Sequence, residues 1–192
     1  YWGPNLVRNF MASEGCSVDM VADSRPERLK IVERLYPAVK TTTSGEDIMH
    51  DSSIDAVVIA TPIHTHYGLA REALECGKHV LVEKPMTTSR AQAVELVDLA
   101  DTKGRVLMVD HTFLYTGAVN KMKQIIGLRE LGDIRYYDST RINLGLFQHD
   151  VNVLWDLATH DISILLHLID ERPTSVQAIG VTHTNNGIEN IA

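Results

Sequence analysis

Short apolar strands recur along this chain at the spacing that intervening helices need, and that alternation constrains the fold more than any other feature. Ile54 to Ala60, His79 to Val82 and Val106 to Val109 read as strands, the first apolar enough to be buried on both faces. Ser17 to Ala22 reads as a further strand closed by Asp23, and Thr41 to Gly45 as a polar loop. Between them, helices are predicted over Pro26 to Tyr36, Glu46 to His50, Thr65 to Cys76 and from Ser89 to about Lys103. Gly77 is placed to stop the third of these and Ser89 to cap the fourth. Strands joined by helices pair in parallel, so residues 1–114 are expected to form a doubly wound α/β domain.

The pattern changes near residue 115. A helix over Ala118 to Leu131 precedes Asp133 to Arg141, whose length and Tyr136-Tyr137 pair predict an antiparallel strand. A polar loop with Asn143, Gly145, Gln148 and His149 follows, then a helix over Val153 to Ile169 and a strand over Ser175 to Thr184. Residues 115–192 thus read as the start of an α+β domain. Too little chain follows to complete an antiparallel sheet, so further sequence is expected beyond Ala192. At the other end, Tyr1-Trp-Gly-Pro-Asn reads as a turn entering a helix that has Pro4 in its first turn. If Gly3 is the last glycine of a G-x-G-x-x-G turn, one strand and two glycines are expected upstream of residue 1.

Composition narrows the function classes. With 192 residues and 44% hydrophobic content the chain can bury a real core. A net charge of −7 with eighteen scattered basic residues argues against a nucleic-acid surface. Cys16 and Cys76 lack the spacing of a metal site and read as reduced thiols. No apolar run approaches the roughly eighteen residues needed to cross a bilayer, so no membrane partner is expected and a cytoplasmic location is.

The chemistry concentrates at strand ends and on one helix. Lys84, in Val80-Leu-Val-Glu-Lys-Pro85, stands at the carboxyl end of a parallel strand, where α/β sheets bind ligands. Pro85 restricts the backbone of Lys84 and so fixes how it projects. Gly3 and Asp23 have the spacing of a helix-opening glycine and a ribose-binding acid. Asp23 favours NAD, whereas Ser24 and Arg25 could accommodate the 2′-phosphate of NADP. Thr61-Pro62-Ile-His64-Thr-His66 opens a helix at the same sheet edge; without a third ligand of matching spacing its histidines read as hydrogen-bonding or packing groups rather than metal ligands. Asp156 and His160, four apart, share one face of a strongly apolar helix and suit an acid/base pair. Asp161 is expected on the outer, solvated face of that helix, with a supporting place near His160 as the alternative.

Gly3-Pro-Asn, Asp23, Thr61-Pro62 with His66, Glu83-Lys-Pro85 and Asp156-x-x-x-His160 resemble the Gfo/Idh/MocA family, named for glucose-fructose oxidoreductase, inositol dehydrogenase and a rhizopine-catabolism protein. The resemblance implies a Rossmann-type doubly wound parallel sheet followed by an incomplete α+β domain with an antiparallel sheet. It implies an NAD-dependent (NADP possible) oxidoreductase acting on CH-OH groups, with Lys84, Asp156 and His160 catalytic. Trp2, Gly3, Asp23, Ser24, Arg25, Thr61, Pro62, His64, His66, Glu83 and Lys84 would hold the cofactor, and a homo-oligomer is implied for the full-length protein. The opening Tyr1-Trp-Gly-Pro-Asn, Arg141-x-Asn-x-Gly145 and Asp150-Val-Asn-Val-Leu-Trp-Asp-Leu resemble members that oxidise nucleotide-linked sugars, making Arg141, Asn143 and Asn152 candidate substrate contacts. Asp110 departs from the pattern, since a small or neutral residue is usual before His111-Thr-Phe. Two other readings stand beside this one: a nicotinamide-binding sensor without turnover, and a glycoside hydrolase of the same fold that recycles its cofactor.

Overall fold

The computed structural model describes residues 2–143, 151–183 and 187–192, which fall into two compact units, Tyr1–Asp110 and His111–Ala192. Tyr1, Gly145, Gln148, His149, Asp150 and Thr184 lie outside the described residues.

The first unit alternates as its sequence predicts. Helix α1 (Gly3–Ala12) leads to β1 (Met20–Ala22), α2 (Pro26–Leu35), β2 (Lys40–Thr42) and α3 (Glu46–Met49). Then follow β3 (Ala56–Ile59), α4 (Ile63–Glu75), β4 (His79–Val82), α5 (Arg90–Lys103) and β5 (Leu107–Val109). Every strand pair is parallel: β1 with β2 in one sheet, and β3-β4-β5 in that order in another. Strand β2 falls at the start of the segment read as a polar loop. Lys-Thr-Thr has no apolar alternation to reveal it, and it forms because Met20 to Ala22 pair with Lys40 to Thr42.

Helix limits follow local chemistry. Ser89 accepts a hydrogen bond from the Gln92 amide at the start of α5, and Gly104 ends that helix with φ at 61°, a conformation costly for any residue with a Cβ. The core of this unit joins Val57 and Ile59 of β3, Val80 and Val82 of β4, Ala70, Ala73 and Leu74 of α4, and Leu96 of α5. Leu74 and Leu96 are fully buried, each contributing roughly 1.5–3 kcal/mol of apolar transfer. Burial along β3 alternates, and Val58 remains 38% exposed, so β3 is not buried on both faces as its composition suggested. Successive side chains point to opposite faces, and the helical core covers the face of Val57 and Ile59. Lys78, just before β4, is buried with its ammonium donating to the carbonyls of Asp51 at 2.5 Å and Ile54 at 2.7 Å. That pins the turn ahead of β3 to the start of β4, with each bond of an ionised donor of this kind worth about 1.5–3 kcal/mol.

The second unit is helical where it is regular. A 3₁₀ turn (Thr112–Tyr115) precedes α6 (Gly117–Gly127); a π-helical turn (Leu154–Ala158) runs into α7 (Thr159–Leu168). Val119, Ile164 and Leu168 form its core, with Phe113, Leu114 and Ile126 packed around them. Helix α6 ends earlier than its apolar pattern suggested, since Arg129 and Gly132 adopt positive φ. The strands expected over 133–141 and 175–184 do not form ladders among the described residues. A strand persists only when another satisfies its amides, and the one pairing here is an antiparallel bridge between Val181 and Ile191.

Candidate functional site

In the first unit the predicted residues gather at the carboxyl ends of the parallel strands. Asp23 follows β1; its amide donates to the Thr42 carbonyl and its Oδ1 accepts from the Arg25 amide at 2.9 Å. Arg25 and Arg28 each bring a guanidinium nitrogen 3.6 Å from one of its carboxylate oxygens. Ser24 and Arg25 are exposed. Trp2 is exposed ahead of α1, and a Cβ built on Gly3 would meet nothing within 4 Å. Helix α1 has neither a side-chain cap nor an acid in its first turn.

Thr61 and Pro62 leave β3 and turn into α4, where the Thr61 and Thr65 hydroxyls lie 2.6 Å apart. His64 is exposed, but His66 is buried. Its Nε2 lies 2.8 Å from the Thr61 carbonyl oxygen and its Nδ1 2.9 Å from that of Pro85. His66 thus ties the end of β3 to the segment carrying Lys84, a structural use of a residue expected at the cofactor.

Glu83 extends β4, its amide donating to the Ile59 carbonyl at 2.9 Å. Its Oε2 accepts from the Lys84 amide at 3.2 Å, and the Lys84–Pro85 peptide is cis. Burial and then the charge of Asp110 push the Glu83 carboxyl up to about 7, against the lowering effect of the Lys84 amide. Lys84 is half-buried beside it.

In the second unit Asp156 lies in the π-helical turn, a distortion that recurs at functional positions. Asn152 serves that turn directly: its Oδ1 accepts from the Trp155 amide at 3.0 Å, and its carbonyl from the Asp156 amide. His160 opens α7 half-buried, its ring edge-on to Phe113 with centroids 4.7 Å apart. Arg141 lies over the same Phe113 ring at 4.7 Å and forms a bidentate pair with Asp161. Ser139 also donates to Asp161, at 2.6 Å. Burial raises the Asp161 carboxyl, but the hydrogen bonds from Arg141 and Ser139 and the charges of Arg141 and His160 outweigh it and hold the group below its usual range. Asp161 is therefore an anchored counter-ion for Arg141, not the solvated acid its position suggested. Asn143 is exposed two residues on.

Arg141 and His160 are thus brought together through Phe113 and Asp161, as are Asn152 and Asp156 in one turn. Phe113 and Ser139 carried no local signal, because their roles depend on segments more than twenty residues away in the chain.

Residues 1–111 match the family model of Gfo/Idh/MocA proteins, described as an oxidoreductase family with an NAD-binding Rossmann fold. The chain belongs to this family. It is 33% identical over 133 residues to UDP-N-acetylglucosamine 3-dehydrogenase of Acidithiobacillus ferrooxidans, across 68% of this chain and 41% of that protein. It is 28% identical to the scyllo-inositol 2-dehydrogenase (NAD(+)) of Bacillus subtilis, across 94% of this chain and 53% of the relative. The solved structure of an NAD-binding protein from Listeria innocua superposes with a TM-score of 0.76 at 27% identity, covering 88% of this chain and 52% of that one. The chain therefore spans about half the length of these relatives or less. Among the described residues of this family member, no helix is long and apolar enough to cross a membrane.

Proposed function

We propose that this protein is an NAD-dependent oxidoreductase that moves a hydride between the carbon bearing a sugar or nucleotide-linked sugar hydroxyl and the nicotinamide. The observation that carries the reading is the set of carboxyl strand ends in the first unit, with Asp23 following β1 of one parallel sheet and Thr61, Pro62, Glu83 and Lys84 following β3 and β4 of the other. Donor chemistry there fits a dinucleotide. The uncapped start of α1 presents the positive end of its dipole to an anion, and Asp23 offers a carboxylate to a ribose diol. The nicotinamide, when bound, accepts the hydride.

The chain's own residues supply the rest. His160 takes the proton from the reacting hydroxyl, a general-base role worth on the order of 10² to 10⁴ in rate. In the first unit, Lys84 supplies a hydrogen-bond donor at the end of β4, suited to stabilising negative charge as it develops on a reacting oxygen. Asp156 orients the substrate. Arg141, held by Phe113 and Asp161, is positioned to meet a phosphate or sugar oxygen with its remaining donors, with Asn143 and Asn152 nearby in sequence. A match to one relative named for a nucleotide-linked sugar and another named for an inositol supports polyhydroxylated substrates.

Assaying free sugars, inositols and nucleotide-linked sugars for reduction of NAD tests the proposal; the nucleotide-linked class is expected to give the highest kcat/KM. Turnover of none of the three classes would refute it. Cofactor choice is a separate prediction. Asp23 repels a 2′-phosphate, so calorimetry on the intact protein is expected to show tighter binding of NAD(H) than of NADP(H), and Asp23→Ala to narrow the gap. Equal or reversed preference in the unaltered protein would assign the ribose position to Arg25 and Arg28 instead.

A further inference from the structure

Glu83 and Asp110 are a pair that only the strand register reveals. Strands β4 and β5 are parallel with Val82 opposite Val109, so the next residues on each, Glu83 and Asp110, stand opposite one another. The Asp110 amide donates to the Val82 carbonyl at 2.9 Å, which carries the alignment past the last paired residues. Neighbouring strands lie roughly 4.8 Å apart and registered residues point to the same face, so two carboxyl groups are forced into one half-buried space. Asp110 in this position, together with burial, raises the Glu83 carboxyl. Two carboxylates opposed in register repel and can only accept, and a proton on one of them relieves the repulsion and supplies a donor.

We propose that Asp110 is a positioning residue for Lys84: it shares a single proton with Glu83, and the Glu83 carboxyl so held accepts the Lys84 amide and fixes the segment presenting the lysine. This rests on the proposed oxidoreductase reading only for Lys84's catalytic role. The carboxyl pair itself stands on the register and the hydrogen bonds.

The protonated partner is Glu83, whose carboxyl burial and Asp110 together raise. Around neutral pH the pair carries one negative charge, and Lys84 faces one counter-charge rather than two. The other titratable groups at this strand end are His66 of α4, on the Pro85 carbonyl, and His111, which follows Asp110. The sign of the pH dependence follows. The Glu83 carboxyl lies at about 7 in the fold against an ordinary 4.5, so its contribution to stability is complete below 4.5 and is lost as pH rises through about 7.

The test is a carboxyl titration of the intact protein by ¹³C NMR with labelled glutamate, beside thermal melting and kcat across the same pH range. Unaltered protein is expected to titrate Glu83 near neutrality. Asp110→Asn, whose amide donates to an ionised Glu83, should move that midpoint down toward the ordinary carboxylate range. The same variant should melt at a temperature that falls less between pH 4.5 and about 7 than that of the unaltered protein, and should shift the pH profile of kcat with less change in KM. Should Asp110→Asn not fold, Asp110→Gly carries the same readings, and the titration of the unaltered protein decides the proton's presence by itself. An ordinary Glu83 midpoint in the unaltered protein, or one that neither variant moves, would overturn the proposal. A raised, Asp110-dependent midpoint in a protein that turns over no sugar would leave the carboxyl pair standing and refute the oxidoreductase reading instead.

Discussion

His160→Asn in the intact protein is expected to lower kcat by at least about a hundredfold, or about 2.7 kcal/mol of transition-state stabilisation. Asparagine keeps a polar group of similar reach at the start of α7, and the packing of Phe113 against Arg141 does not depend on the imidazole. What is lost is the base. The affinity for the cofactor should change little, because His160 is assigned to the substrate hydroxyl. The rate should also lose its dependence on a deprotonated general base. Retained wild-type turnover with an unchanged pH profile would remove His160 from the mechanism and leave the Asp156–His160 helix as a packing feature.

Lys84→Met should cost at least as much. Methionine keeps the length and apolar stem of lysine, so the half-buried strand end retains its packing while the donor disappears. Losing one donor to a developing oxyanion typically costs about 10² to 10³ in kcat. Unlike the histidine variant, this one is expected to weaken cofactor binding too, since Lys84 follows directly on the strand edge assigned to the nucleotide. Asp156→Asn should fall short of both if its carboxylate only orients its partners. A Lys84→Met protein with normal kcat and a raised KM would turn the lysine into a simple binding group.

Much of this was legible before any coordinates. Parallel strands such as His79 to Val82 need apolar residues, and the helices between them carry caps and stops, so the alternation and the position of Lys84 at a strand end are written locally. Strand β2 was not legible, because three residues of Lys-Thr-Thr have no period and depend on β1 for their pairing. The segments over 133–141 and 175–184 fail for the reverse reason: their composition favours strands, but a ladder is a property of two segments. Register hides the most. Asp110 looked like a lone departure from the family pattern, and only the opposition of Val82 and Val109 makes it the partner of Glu83. The environment of Asp161 is hidden in the same way, because the guanidinium that neutralises it comes from twenty residues earlier.

Hydride transfer is the central claim, and an isotope can follow it directly. A substrate found in the sugar assays, deuterated on the carbon bearing the oxidised hydroxyl, would be turned over by the intact protein with NAD. The reduced cofactor would then be isolated and its nicotinamide ring examined by mass spectrometry and NMR. One deuterium on the nicotinamide for each sugar oxidised is the expected result. Sugar consumed without accumulation of reduced, deuterated cofactor would contradict the account and indicate a hydrolase that returns the hydride within each turnover.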